Sequence, residues 1–168
     1  MTADELCERY ADRVYRFAAM VSQSSDDARD LAQEALEHAI RGLPKMDPER
    51  GDIEGWLYRI VVNAARDAGR VARRQQALLE RARTLMVRPP LPSSGPPAGV
   101  ADAELLTAIR QLAPRERAVI ALRFGADLDH AAVGRALGIS SAAAGMATRR
   151  AIAALRARLE AGRKESRT

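Results

Sequence analysis

Apolar residues recur at every third or fourth position through the first part of the chain, which is the spacing of amphipathic helices. A first helix is predicted over 4–22, with its apolar side made of Leu6, Tyr10, Val14, Phe17, Ala18 and Val21. A second helix should follow, because Ser24, Ser25 and Asp26 supply an N-cap and acids favour the positive end of a helix. Gly42 and Pro44 are expected to end it.

The second predicted helix has one apolar and one acidic side. Its inward positions follow the helical period and consist of Ala28, Leu31, Ala32, Ala35, Leu36, Ala39 and Ile40. We call its outward side the acidic face, which consists of Asp30, Gln33, Glu34 and Glu37. Such a face is commonly just solvated. Because a basic helix follows directly, docking of a basic protein partner is the alternative.

The stretch 55–74 predicts a third helix with two unlike stripes. The apolar stripe, expected to pack on a core, consists of Leu57, Ile60, Val61, Ala64, Ala65 and Ala68. The stripe beside it, which we call the basic row, contains no acid and consists of Arg59, Asn63, Arg66, Arg70, Arg73 and Arg74. Arginine holds phosphates and asparagine can hydrogen-bond a base edge, so this row indicates nucleic-acid binding. A solvated arginine face is the other interpretation.

Proline, serine and glycine dominate the middle of the chain, notably over 86–99. A segment of this composition has no core of its own, so we expect a flexible linker over 77–100. The linker would join two small helical domains, 1–76 and 101–165, with 166–168 as a tail. The predicted fold class is therefore all-α.

The second domain shows the pattern of a helix-turn-helix. Asp102 and Pro114 are expected to begin its first two helices, and Asp129 to cap a short third one. Gly138 would form the turn, and Ser141 would cap a longer helix that runs to about residue 161. The pattern favours DNA binding, although alanine-rich helical hairpins imitate it.

Composition and charge narrow the possible functions. The chain of 168 residues is 47% hydrophobic but only 4% aromatic, and its net charge is +5, which favours an anionic partner. Cys7 is the only cysteine, so no intrachain disulfide can form and a reducing cytoplasm fits. No catalytic set, metal site or cofactor motif is found, so we expect neither an enzyme nor a cofactor. No membrane insertion is expected, because no apolar run has spanning length.

Four segments together resemble the extracytoplasmic-function group of bacterial RNA polymerase sigma factors, which are sigma-70-like proteins of group IV. The segment 27–36 is similar to that family's polymerase-binding helix, and 47–67 to its promoter-melting loop and helix. The segments 112–124 and 137–140 are similar to its C-terminal helix-turn-helix domain. The resemblance implies an alternative sigma factor.

The resemblance also implies partners and residue roles. The acidic face would dock on the clamp helices of the largest subunit of core RNA polymerase, and the second domain would meet the flap. Asn63 and the loop 45–54 would hold a base flipped from promoter DNA, while the arginines of the basic row would hold the backbone. An anti-sigma factor or another regulatory protein is a further candidate partner.

The predicted recognition helix departs from the family pattern. Family members usually carry Thr, Lys and Arg where this chain is expected to place Ala143, Gly145 and Ala147. Ser141, Arg149 and Arg150 remain as candidate DNA contacts, and the two arginines suit phosphates better than bases. Two other functions therefore stay open. One is a helix-turn-helix regulator, and the other is a degenerate sigma-like protein that binds polymerase or DNA without initiating transcription.

Overall fold

The computed structural model describes residues 1–46, 52–83 and 103–165, and the regular structure there is entirely helical. The helices are α1 (Ala3–Val21), α2 (Ser25–Gly42), α3 (Ile53–Arg83), α4 (Ala103–Arg110), α5 (Pro114–Ile120), α6 (His130–Leu137) and α7 (Ser141–Glu165). A 3₁₀ turn over Leu43–Lys45 follows α2, and a π turn over Ala121–Gly125 follows α5. The all-α prediction is confirmed. The predictions made for 47–51, 84–102 and 166–168, including the Asp102 cap, lie outside the described residues.

Side-chain caps set the starts of the first two helices. Thr2 and Glu5 form a reciprocal capping box, with Thr2 Oγ1 accepting from the Glu5 amide at 3.2 Å. Ser24 Oγ accepts from the Asp27 amide at 3.1 Å, which identifies the first serine of the predicted trio as the cap of α2. The predicted bounds of both helices therefore agree with the structure to within one or two residues.

Helix α3 is longer than the sequence pattern indicated. It continues to Arg83, so residues 77–83, which we assigned to the linker, are helical. The reason is intrinsic propensity, because this segment is made of Ala, Leu, Glu and Arg, all strong helix formers. Side chains 77–81 of this extension are exposed, so it is not held by a core.

The second domain has the predicted helix-turn-helix, formed by α6, a turn and α7. Asp129 Oδ1 caps α6 by accepting from the Ala132 amide at 2.7 Å, and Gly138 adopts φ 70° in the turn. That left-handed conformation favours glycine, which has no Cβ to clash. One expectation was wrong by a residue: Ser140, not Ser141, caps α7, because Ser140 Oγ accepts from the Ala143 amide at 3.1 Å.

The two domains pack on each other and share one hydrophobic core. Leu122, Leu128 and Val133 of the second domain belong to the same buried cluster as the apolar sides of α1, α2 and α3. This packing explains a difference in α3. Tyr58 and Val62, outside the predicted stripe, are buried, because α3 is covered on two sides.

Arginine side chains donate to backbone carbonyls across the domain boundary in both directions. From the first domain to the second, the bonds are Arg13 Nε to Ala126 O at 2.7 Å and Arg16 Nε to Gly125 O at 2.9 Å. From the second to the first, they are Arg110 Nε to Ser22 O at 3.0 Å and Arg117 Nη1 to Val21 O at 3.4 Å. Because main-chain carbonyls at helix ends lack helical partners, these bonds satisfy groups that would otherwise need water.

Candidate protein and nucleic-acid interfaces

The acidic face of α2 lies at the protein surface. All four of its residues are exposed, and Gln33 Nε2 donates to Glu37 Oε1 at 3.0 Å one turn further along the helix. The apolar side of the same helix is buried at Ala28, Leu31 and Ala35. The helix therefore holds the acids outward on a fixed backbone, as a docking surface requires.

The basic row of α3 is exposed along its whole length, including the side chain of Asn63. Two residues of the basic row have partners within the protein. Arg70 pairs with Asp67 on its own helix, and Arg59 Nη2 donates to the main-chain oxygen of Arg135 in α6 at 3.3 Å. The row thus follows the surface of one helix, with its one amide flanked by arginines.

A groove of about 940 Å³ separates the acidic face from the basic row. Phe17, Val62 and Leu137 contribute apolar lining, while Asp30 and Glu34 line it from α2. The remaining charged lining consists of one acid, Asp27, and five arginines, Arg66, Arg70, Arg73, Arg115 and Arg117. Both predicted surfaces therefore border one amphipathic groove at the domain boundary.

Asp52 lies directly before α3, caps its first turn and also bonds to Arg135 of the second domain. The sequence analysis missed this residue. Its carboxylate accepts from the amides of Glu54 and Gly55, each at 3.2 Å, and from Arg135 Nη2 at 2.5 Å. Partial burial raises the pKa of Asp52, but the Arg135 hydrogen bond and the two amides outweigh it and lower the pKa overall. The position of Asp52 just before the apolar pattern of α3 could have suggested a helix cap. No neighbouring residue in the sequence indicates its contact with Arg135.

The recognition helix exposes the three candidate DNA contacts that we expected, Ser141, Arg149 and Arg150. Gly145 is buried, with the His130 imidazole 3.7 Å from where a Cβ would stand, and Ala143 and Ala147 are only partly exposed. The exposed positions in the first turns of α7 are Ser141, Ala142, Met146, Arg149 and Arg150. Gly145 is therefore not at the surface of the helix, whereas Ala142 and Met146 are exposed there and were missed by the sequence analysis.

Neither a cluster of metal-binding side chains nor a membrane-spanning helix is found in the part of the chain that the structure describes. No cluster of three or more His, Cys, Asp or Glu side chains that could hold a metal ion occurs there, and Cys7 is a free thiol. Among the same residues, no helix has the length and apolar character needed to cross a bilayer.

Both domains match known families of sigma-70-type proteins. Residues 6–75 match Sigma-70 region 2, and residues 108–157 match Sigma-70 region 4. The gap between the two matches contains the predicted linker. The class of protein is therefore a two-region sigma-70-type transcription factor.

Two relatives that align with most of the chain identify the family within this class. CarQ, an RNA polymerase sigma factor of Myxococcus xanthus, is 31% identical over 91% of this chain and 86% of its own length. SigE, an extracytoplasmic-function (ECF) sigma factor of Mycolicibacterium smegmatis, is 34% identical over 81% of this chain, which spans 53% of the length of SigE. The chain belongs to the ECF family of RNA polymerase sigma factors.

Solved structures share the two-domain fold. CnrH, solved with the cytosolic domain of CnrY, has a TM-score of 0.66 and 26% identity, covering 95% of this chain and 88% of that one. The sigma factor RpoE of Bartonella quintana, solved with the anti-sigma factor NepR, has a TM-score of 0.69 and 16% identity, covering 94% and 96%. At that identity, the RpoE comparison supports the fold alone.

Proposed function

We propose that this protein is an alternative sigma factor that binds core RNA polymerase and directs promoter recognition and DNA melting. It has no catalytic role by itself and acts in the cytoplasm. The observation that carries this proposal is the pairing of two exposed surfaces on consecutive helices of one domain. The acidic face of α2 suits a basic protein surface, and the basic row of α3 suits nucleic acid.

The acidic face is the proposed contact with polymerase. Its Asp30, Glu34 and Glu37 lie one turn apart on a helix anchored by buried alanine and leucine. A rigid row of carboxylates is complementary to a basic helical partner such as the clamp helices of the largest subunit. Electrostatic complementarity of this kind speeds association and selects the partner.

The basic row is the proposed melting surface. Capturing one flipped base costs a few kcal/mol of unstacking, an amount that base contacts and phosphate contacts can offset together. Asn63 is the base-contacting candidate, because it combines a donor and an acceptor that match an adenine edge. Arg59, Arg66 and Arg70 flank it on the same side of α3 and would hold the strand backbone.

The second domain is proposed to contact upstream DNA mainly through the backbone. Arg149 and Arg150 are exposed on α7 and suit phosphates. The neighbouring Ala142 and Met146 can offer only apolar contact, of the kind that recognises a thymine methyl group. We therefore expect the upstream element to contribute less specificity than the minus-ten element.

Transcription in vitro tests the proposal. The purified protein is combined with core polymerase and genomic DNA fragments, start sites are mapped, and permanganate footprinting detects unpaired thymines near minus ten. Defined start sites with footprints at those promoters are expected. Polymerase binding without footprints would instead identify a sigma-like protein that does not initiate, and duplex binding without polymerase would identify a helix-turn-helix regulator.

An anti-sigma factor is the proposed regulatory partner. CnrH, which is 26% identical to this chain, was solved with a bound protein domain, and RpoE with an anti-sigma factor. The groove between the acidic face and the basic row supports this partner, since an amphipathic segment seated there would cover both surfaces. Co-purification from the native cell, followed by loss of polymerase binding on adding the partner, tests this proposal.

A further inference from the structure

The last turns of α3 extend beyond the core of the first domain. Ala64 is still buried, whereas every side chain from Arg70 to Arg81 is exposed. At 1.5 Å per residue, the stretch from Arg70 to the end of the helix at Arg83 is about 20 Å long. Because no side of the stretch up to Arg81 is buried, its whole surface is open to a partner. We call the helical residues 77–83 the α3 extension.

The α3 extension lies outside the segments that match the two families. The match to Sigma-70 region 2 ends at residue 75, and the match to region 4 begins at residue 108. Local interactions hold this part of the helix, since Gln76 Nε2 donates to Glu80 Oε1 at 3.1 Å one turn further along. A contact made by the α3 extension is therefore a property of this chain, and the family matches do not imply it.

The α3 extension continues the basic row by two further turns. Arg74 and Arg81 are seven residues apart, which is about two helical turns, so both side chains lie on the same side of α3. Arg81 also follows Asn63 by about five full turns and shares its side of the helix. The row from Arg59 to Arg81 is thus about 33 Å long, close to the length of one turn of duplex DNA.

The charge of this stretch indicates the kind of partner. Arg74 and Arg81 are exposed and have no ion-pair partner among the described residues. The nearby acid, Glu80, is bonded to Gln76 and lies about 100° around the helix from Arg81. Arginine binds phosphate oxygens in a bidentate way. The α3 extension offers no amide to a base on the side of Arg81, so it suits the DNA backbone and not a particular sequence.

We propose that the α3 extension binds the backbone of the paired DNA directly upstream of the opened minus-ten segment, with Arg74 and Arg81 as its phosphate contacts. The proposal rests on the proposed function, because it lengthens the same melting surface. The loop 45–54, proposed to hold the flipped base, lies at the N-terminal end of α3. The DNA that stays paired therefore continues toward the C-terminal end of the helix. This contact anchors the duplex where α7 offers few side chains that read bases.

Two forked DNAs with the same single-stranded minus-ten segment test the proposal, using the full chain bound to core polymerase. In one fork the duplex ends directly upstream of that segment, and in the other it continues for about 10 base pairs, one helical turn. We expect the protein to bind the longer fork more tightly and Arg81→Gln to remove most of that gain. One lost phosphate contact lowers the slope of log affinity against log salt by about 0.9, so the deficit should be about threefold larger at 50 mM than at 200 mM salt.

A charge-relocated variant is the matched control. Arg81→Gln combined with Gln75→Arg keeps the net charge but moves the guanidinium about 120° around the helix. This variant should stay as weak as Arg81→Gln, because a contact depends on position, whereas recovery of the lost affinity would show only long-range attraction and overturn the proposal. Ala77→Pro interrupts the helix between Arg74 and Arg81 and should reproduce the same loss. Circular dichroism should show an unchanged unfolding transition, since side chains 77–81 contact no core.

Other partners of the α3 extension would give different results. A loss of affinity for core polymerase alone, caused by Arg81→Gln, would assign the extension to a polymerase surface and overturn the proposal. Leu78 and Leu79 are also exposed, so a dimer in sedimentation that Leu79→Ser dissociates would assign it to a second copy of the chain. Equal affinities of the wild-type protein for the two forks would equally overturn it.

Failure of the proposed function gives a result of its own. If the protein neither binds core polymerase nor directs start sites, that function fails, and the α3 extension is judged by binding of the free chain to plain duplex DNA. Arg81→Gln should then still lower the salt slope by about 0.9, and the charge-relocated variant should not restore it. Equal slopes for the wild-type protein and both variants would overturn the proposal.

Discussion

Arg13 Nη1 in α1 lies 2.6 Å from Glu54 Oε1 at the start of α3, and the same guanidinium also reaches the second domain. Its Nε donates to Ala126 O at 2.7 Å, and the ring of Tyr58 lies 6.0 Å below it. Burial lowers the pKa of Arg13, but the hydrogen bond to Glu54 and the electrostatic attraction of Tyr58, Glu54 and Tyr10 together outweigh it and raise the pKa overall. The Arg13 side chain therefore links α1, α3 and the second domain.

Replacing Arg13 with alanine should destabilise the protein by about 2 kcal/mol, because it leaves the half-buried Glu54 carboxylate and the Ala126 carbonyl without their donor. Arg9→Ala is the control, since Arg9 is exposed and only stacks on Tyr10 at 5.7 Å. Urea unfolding monitored by circular dichroism measures the stability of both variants. A loss for Arg13→Ala no larger than for Arg9→Ala would show that the bridge contributes nothing.

The hydroxyl of Tyr58 is buried without a hydrogen-bond partner among the described residues. Since such a group loses its water without compensation, Tyr58→Phe should leave stability unchanged or raise it by about 1 kcal/mol. Thermal unfolding at pH 7 measures the difference. Tyr15→Phe, at a partly exposed ring, should have little effect, and a clear destabilisation by Tyr58→Phe would indicate a bond to the hydroxyl.

The Tyr58 side chain also predicts how the stability of the protein depends on pH. Burial raises the pKa of Tyr58 well above its usual range, so the folded protein keeps this proton when the unfolded chain loses it. The folded state therefore binds more protons above pH 10, and stability should fall there as pH rises. Tyr58→Phe should show a shallower fall between pH 10 and 11 in the same unfolding assay, and parallel curves would contradict the assignment.

Features decided by neighbouring residues could be predicted from the sequence, and features decided by distant contacts could not. The Asp129 cap and the Gly138 turn depend on residues within one turn, so their signals are local. The contact of Asp52 with Arg135 joins positions 83 apart, and no periodicity encodes it. The surroundings of Tyr58 are also set by residues distant in sequence, because the Arg13 guanidinium of α1 lies 6.0 Å from its ring.

Two glycines of the helix-turn-helix should respond oppositely to alanine. At Gly145 an added Cβ meets only the His130 ring at 3.7 Å, so Gly145→Ala should stabilise α7 by up to about 1 kcal/mol. At Gly134 it would lie 2.7 Å from the main-chain oxygen of Ile139, so Gly134→Ala should destabilise the domain. Chemical denaturation of the two variants checks the contrast, and shifts in the same direction would contradict this packing.

Reversing charge on the acidic face should weaken polymerase binding. The double variant Asp30→Arg and Glu34→Arg replaces attraction to a basic surface with repulsion, and we expect at least about a tenfold loss of affinity for core polymerase. Glu8→Arg is the control, because Glu8 is exposed on α1, away from that face. Fluorescence anisotropy with labelled protein measures the affinities. Unchanged binding by the double variant would show the face to be merely solvated.

The variant Asn63→Ala tests whether polymerase binding by α2 and DNA opening by α3 are separate functions. If its amide captures a flipped base, Asn63→Ala should reduce open-complex formation by about tenfold, the size of one base-specific contact, and leave core affinity unchanged. Gln75→Ala removes an exposed amide further along the same helix and should alter neither quantity. Permanganate reactivity measures opening, and anisotropy measures core binding. Equal losses in both assays would mean that Asn63 supports the domain itself, because base capture affects only the step after polymerase has bound.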